Sequence, residues 1–189
     1  MRTLVLGIGN LLLGDEGVGV HAARALAAAG CPPGVEALDV GTAILDALPA
    51  IEEADRLVVV DAMRAGGAPG TVYRLDGPDL ERNGCIASLH GFDLPRVLAL
   101  TRRRTAPEVV VFGVEPGLID WSLELSAPVA ASLPALLAAV REAAARRSRA
   151  AGRLRRPGRS LSPGSRADRT FAEVKQRGRR RGCGDAAGR

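Results

Sequence analysis

Three side chains with metal-competent donor atoms stand where strand-like segments of this 189-residue chain give out: Glu16 shortly after Thr3–Ile8, Asp61 at the end of Arg56–Val60, and His90 in a loop ahead of a helical segment. Two carboxylates and one imidazole suit a divalent ion such as zinc or nickel, with coordination positions left over for water or a substrate. Each also has an ordinary reading. Glu16 would favour a helix N-terminus, Asp61 would cap the segment after it, and His90 would be a loop histidine. Other chemistries fit less well. Gly7-Ile8-Gly9-Asn10-Leu11-Leu12 begins like a dinucleotide fingerprint but has Leu12 where the third glycine belongs, and there is no glycine-rich phosphate loop ending in Gly-Lys-Ser or Gly-Lys-Thr. Ser88 lacks the G-x-S-x-G elbow of a serine hydrolase and reads as a loop hydrogen-bonder. His21, inside the first helical segment, reads as a packing or surface residue.

The hydrophobic pattern supplies the framework around these residues. Thr3 to Ile8 is a continuous apolar run, which predicts a central strand buried on both faces, and the glycines after it predict a sharp turn. Asp15 or Glu16 opens a helix that runs to Ala29. Val35 to Val40 is a second strand, followed by a helical pattern through Ile44, Leu45, Leu48 and Ile51. Arg56 to Val60 is a third buried strand that stops at Asp61. Thr71 to Leu75 is short and alternating, an edge strand whose direction the pattern leaves open. Asp93 to Arg102 is helical, Glu108 to Val114 is the last strand, and Ser126 opens a long amphipathic helix. Alternating strands and helices at this spacing predict a three-layer α/β/α domain over residues 1–145, with a mostly parallel five-stranded sheet and one short edge strand that antiparallel pairing would also suit. In such a sheet ligands gather at the carboxyl ends of strands, beside the point where strand order reverses, and Glu16, Asp61 and His90 would all reach that edge.

Charge divides the chain the same way. From Arg146 to Arg189 there are 14 arginines and Lys175 against three acids, a net charge of +12; residues 1–145 hold 11 basic and 18 acidic groups, a net of −7. The overall basicity therefore says nothing about what the body binds. Leu154, Leu161, Phe171 and Val174 are the tail's only large apolar residues, too few to offset the entropy of ordering it, so residues 146–189 are expected to be a disordered Arg-rich tail. Without interleaved aromatics, it predicts no specific nucleic-acid partner. Cys31, Cys85 and Cys183 form no close pair and fit a reducing cytoplasm. Gly7, Gly9 and Asn10 interrupt the first apolar stretch and Asp15-Glu16 follows it, so it reads as a strand rather than a signal peptide, and no run approaches the roughly 20 apolar residues of a membrane span.

Longer stretches carry a resemblance. GIGNLLLGDEGVGVHAARAL (Gly7 to Leu26) resembles the N-terminal signature of the nickel-iron (NiFe) hydrogenase maturation endopeptidases. Asp39-Val40-Gly41-Thr42 is similar to the family's loop after the second strand, VVVDAMRAGGAPGTVYRL (Val58 to Leu75) to its third strand and Pro-Gly hairpin, SLHGFDLPRVLAL (Ser88 to Leu100) to its histidine segment, and Gly113 to Val140 to its closing strand and last helix. The resemblance covers Met1 to about Ala145 and leaves the tail without a counterpart. It implies an endopeptidase that removes a C-terminal extension from a NiFe-hydrogenase large-subunit precursor once nickel has been inserted, with Glu16, Asp61 and His90 as metal ligands. Glu16 then replaces an aspartate common in the family but keeps an oxygen donor. Asp39 would take part in substrate recognition or cleavage. The nickel would be carried by the substrate, with no organic cofactor and no membrane partner. A nickel-dependent module that checks the precursor without cutting it is the alternative.

Overall fold

Every residue of β1 (Thr3–Ile8) is buried, and its side chains alternate between two separate hydrophobic clusters, with Val5 in one and Leu4, Leu6 and Ile8 in the other. That alternation is what a strand covered on both faces requires. The computed structural model describes residues 1–76, 94–102 and 105–146. Four more strands complete the sheet: β2 (Val35–Gly41), β3 (Arg56–Ala62), β4 (Val72–Asp76) and β5 (Glu108–Val114), in the order β2-β1-β3-β5-β4. All pairs are parallel except β4 against β5, which resolves the edge strand as antiparallel.

Helices cover both faces, as the alternating pattern requires. On one, α1 (Val18–Ala28) and a long C-terminal helix (Ala127–Ala145) pack Val18, Leu26, Leu136 and Val140 against Val5, Val58 and Phe112. On the other, α2 (Leu48–Glu53) and α3 (Leu94–Ala99) contribute Ile51 and Val97 to a cluster with Leu4, Leu57 and Val111. The long helix, α4, carries Pro134 internally and ends over Arg56, a buried cation that donates to the carbonyls of Ala143 and Arg146 and pairs with Glu108. A cation at this end complements the exposed carbonyls of a helix C-terminus.

Local departures from the sequence reading have identifiable causes. The first helix does not begin at Asp15 or Glu16: Gly14–Gly17 forms a tight 3-10 turn with both acids buried, and α1 starts at Val18. The second helical segment likewise opens as a 3-10 turn, Ile44–Ala47, before Pro49 sets the first turn of α2. β3 continues through Asp61 to Ala62 because both residues find register partners, Gly113 and Val114. α3 is shorter than expected, closing in a tight turn in which Leu100 N–H donates to Val97 O and Thr101 N–H to Leu98 O. Against the expectation that no run approaches a membrane span, α4, at 19 residues, is apolar and long enough to cross one by composition. Its core-facing residues nevertheless pack on the sheet, and Arg141 and Glu142 lie within it. The expected Arg-rich tail lies outside the described residues beyond Arg146.

The glycines of the first motif act by close approach. A Cβ on Gly19 would stand 2.2 Å from the carbonyl oxygens of both Ile8 and Val60, and one on Gly7 would stand 2.1 Å from the carbonyl of Gly19. α1 therefore lies directly on the backbones of β1 and β3, and Gly19 does the helix-to-strand packing that a third fingerprint glycine would do elsewhere. Gly19→Ala should lower stability by roughly 3 kcal/mol or more through overpacking, read as a fall in the urea midpoint; an unchanged midpoint would show that the helix stands off the sheet.

Candidate active site

Strand order reverses between β1 and β3, since the chain leaves β1 toward β2 and returns on the other side, and this junction is where an open parallel sheet forms a crevice. Glu16 and Asp61 flank it. Asp61 lies one residue from the end of β3, where its Oδ1 accepts from the Ala62 N–H at 2.8 Å, and the 3-10 turn that carries Glu16 packs against β3. Both carboxylates are buried, at 8% and 6% exposure. The turn is drawn in because Gly9, at φ +148°, passes so near it that a Cβ there would stand 2.1 Å from the Glu16 carbonyl.

Asp39 sits one strand further out, opposite Gly7 in the register of β2 on β1. Its Oδ2 accepts from Arg24 Nε at 2.8 Å and its Oδ1 from the Gly41 N–H at 3.0 Å, so the carboxylate is oriented from α1 and from its own turn. Asp39 and Asp61 thus come from the strands on either side of β1, and Glu16 from the turn that follows β1. His90 and Ser88 lie outside the described residues. Among the described residues no three His, Cys, Asp or Glu side chains close into a metal cage. Glu16 and Asp61 give the edge two oxygen-donor side chains, a set that needs further ligands to hold a divalent ion. His21 is half-buried on α1, and Cys31 is a free thiol.

Asp15 has a different task from its neighbour. It is fully buried, and four donors converge on it from one distant segment: Gly117 N–H and Leu118 N–H at 2.8 Å, and the Ser126 N–H and hydroxyl at 2.7 Å. Burial alone would push its carboxyl up, but the bonds from Leu118, Ser126 and Gly117 outweigh that and hold it below the ordinary range. Ser126 stands at the N-cap of α4 yet makes no side-chain cap, because its hydroxyl is given to Asp15. Backbone bonds lace the same two segments: Asp15 N–H to Leu118 O at 3.1 Å, Gly14 N–H to Ser122 O at 2.8 Å, and Ser122 N–H to Leu12 O at 3.0 Å.

Glu115 performs the matching task after β5. Its buried Oε2 accepts from the Ala65 N–H at 2.8 Å, the Gly67 N–H at 3.2 Å and the Tyr73 hydroxyl at 2.8 Å, fastening the loop beyond Asp61. Burial pushes the Glu115 carboxyl up, and these donors more than reverse it, leaving it below the ordinary value. Glu115 was findable, since a carboxylate after a buried strand is the same signal that singles out Asp61. Arg24 was not, because its partner is 15 residues away on a strand whose pairing no local pattern reveals.

The hydrogenase maturation protease family profile matches residues 20–143 of this chain. The hydrogenase expression/formation protein HupD of Rhizobium leguminosarum bv. viciae is 37% identical over 142 residues, covering 72% of this chain and 70% of its own. The hydrogenase 2 maturation protease of Escherichia coli is 37% identical over 153 residues, covering 75% and 92%. Among solved structures, the hydrogenase maturating endopeptidase HybD from E. coli superposes with a TM-score of 0.64 at 35% identity, over 76% of this chain and 94% of that one. HybD from Thermococcus kodakarensis gives 0.66 at 30% identity, over 76% and 99%.

The Tyr73 and Glu115 contact yields a prediction that needs no substrate. Burial, joined by the hydrogen bond and charge of Glu115, pushes the Tyr73 hydroxyl from its usual value of 10.0 up to about 12. A pKa raised on folding contributes stability in full below about pH 10 and loses it as pH rises toward about 12. Tyr73 is the chain's only tyrosine, so tyrosinate absorbance reads it directly. The native protein should titrate near 12 and the denatured chain near 10; coincident midpoints would remove the contact.

Proposed function

Because this chain belongs to the hydrogenase maturation protease family, we propose that it removes the C-terminal extension of a NiFe-hydrogenase large-subunit precursor after nickel has entered that precursor. Enzymes of this family are peptide-bond hydrolases, which sets aside the non-cleaving module. The observation that supports the finer reading is the placement of Glu16 and Asp61 on either side of the switch point, on a turn and a strand end that pack together. Nickel here belongs to the substrate. Glu16 and Asp61 offer oxygen donors to it and His90 an imidazole, so that a precursor carrying the metal adds its own ligands to an incomplete set and is held, while one without it loses that bridging contribution.

No sequence motif presents a serine or cysteine as a nucleophile, and on this reading hydrolysis proceeds by water. The water oxygen bonds to the scissile carbonyl carbon, the C–N bond breaks, and a proton passes to the departing amine. Asp39, pre-oriented by Arg24 and Gly41, faces the extension from the neighbouring strand and takes part in its recognition.

Intact mass after incubation with nickel-loaded and nickel-free precursor should show a defined C-terminal loss only from the loaded form. Chelator-washed protease should still cut it. Glu16→Gln, Asp61→Asn and His90→Gln should each reduce processing by at least about a hundredfold, the upper end of what loss of a mere outer-shell partner of a metal ligand costs, with circular dichroism unchanged. Cleavage that followed metal added to the protease, whatever the state of the precursor, would instead give the ion to the enzyme; near-normal cleavage by one variant would remove that residue from the site.

A further inference from the structure

Seven large hydrophobic side chains are exposed among the described residues, and five of them, Leu12, Leu45, Leu118, Trp121 and Leu123, lie in segments that leave the carboxyl ends of β1, β2 and β5. They therefore crowd the edge that carries Glu16 and Asp61. Four of the five sit on the two segments laced together through Asp15 and Ser122, at 50% exposure for Leu12, 53% for Leu118, 61% for Leu123 and 79% for Trp121.

We infer that Leu12, Leu118, Trp121 and Leu123 form a preformed docking surface for an apolar stretch of the precursor polypeptide, beside the bond to be cut. This rests on the proteolytic reading and adds to it the surface that holds the substrate. Solvent-facing Leu and Trp on a mobile loop would mean little. Here the backbone is fixed by a buried carboxylate and a ladder bridge between Leu13 and Ser122, so the ordering entropy of the interface is met in the free protein and apolar burial on docking goes into affinity. An exposed, rigidly based tryptophan among leucines is the composition of an interface anchor.

Shape and charge identify the occupant. Side chains at half exposure or more form an open wall, which a polypeptide can cover, whereas a small ligand needs enclosure. Between Gly7 and Val20, and between Gly113 and Val140, the chain has no lysine or arginine, while Asp120 and Glu124 flank Trp121. Anionic lipid headgroups would be repelled by such a rim. The segment that fits is apolar with neutral or basic neighbours.

Trp121 is the only tryptophan, so fluorotryptophan incorporated into the full chain gives one fluorine resonance. In the free protein it should have the shift of a water-exposed indole, independent of concentration, and adding nickel-loaded precursor should move it to that of a buried one. A buried shift in the free protein would mean that a second copy or the chain's own tail covers the wall, and would overturn the inference. In steady state, Trp121→Ala should raise KM roughly ten- to thirtyfold with kcat nearly unchanged, the size of an interface anchor's loss, and Trp121→Phe should restore most of it. Unchanged KM and an unmoved resonance, with the wild type cutting normally, would defeat the docking surface alone. A precursor that moves the resonance but is never cut would defeat the proteolytic reading and leave the surface standing.

Discussion

Asp15 buries a carboxylate completely, and a buried charge is tolerable only when its lone pairs are filled. All four donors that fill them belong to residues 117–126, about a hundred positions later in the chain. Glu16 is the next residue along. Its position is thus determined less by the strand before it than by a carboxylate clamped to the far side of the sheet's carboxyl edge. Removing that carboxylate would strand three backbone N–H groups as well as moving the turn, each orphaned donor costing about 1–3 kcal/mol.

The same distant segment serves the other half of the site. Glu115 holds the loop after β3, and Gly117, Leu118 and Ser126 hold the turn after β1, so the connection from β5 to α4 braces both sides of the crevice. The two acids work in opposite directions along the chain. Asp15 reaches forward to the brace, whereas Glu115 reaches back from it to Ala65, Gly67 and Tyr73. Strand pairing alone aligns β1, β3 and β5; these side-chain contacts align the turns and loops beyond the strand ends, where the candidate site lies.

Much of this was legible in the residues. Apolar runs ending in glycine or aspartate predicted β1 and β3, and the strand-end rule brought Glu16 and Asp61 to one edge. Features that depend on pairing across the sheet escaped. Asp15 and Glu16 read as one acidic pair because adjacency hides that Asp15 is clamped to a distant loop while Glu16 stands beside the switch point. The ion pair of Arg24 with Asp39 joins α1 to β2, and it is unrecognisable until the parallel register is known. The 3-10 start of the first helix has the same tertiary origin, since both acids there are buried rather than left facing solvent as a helix N-terminus would leave them.

The clamp grips only the two ends of the β5 to α4 connection, at Gly117, Leu118 and Ser126, while Ser122 in the middle is fixed through main-chain bonds that any residue but proline could make. Residues 119–121, 123 and 124 can then be rewritten without disturbing Glu16 or Asp61, whereas Leu125 is kept by its packing on the core. Such a division separates what is invariant from what is exchangeable: one hydrolytic frame could be refitted to a new precursor by changing the tip of a single loop, so that partner choice drifts while the cutting machinery stands still.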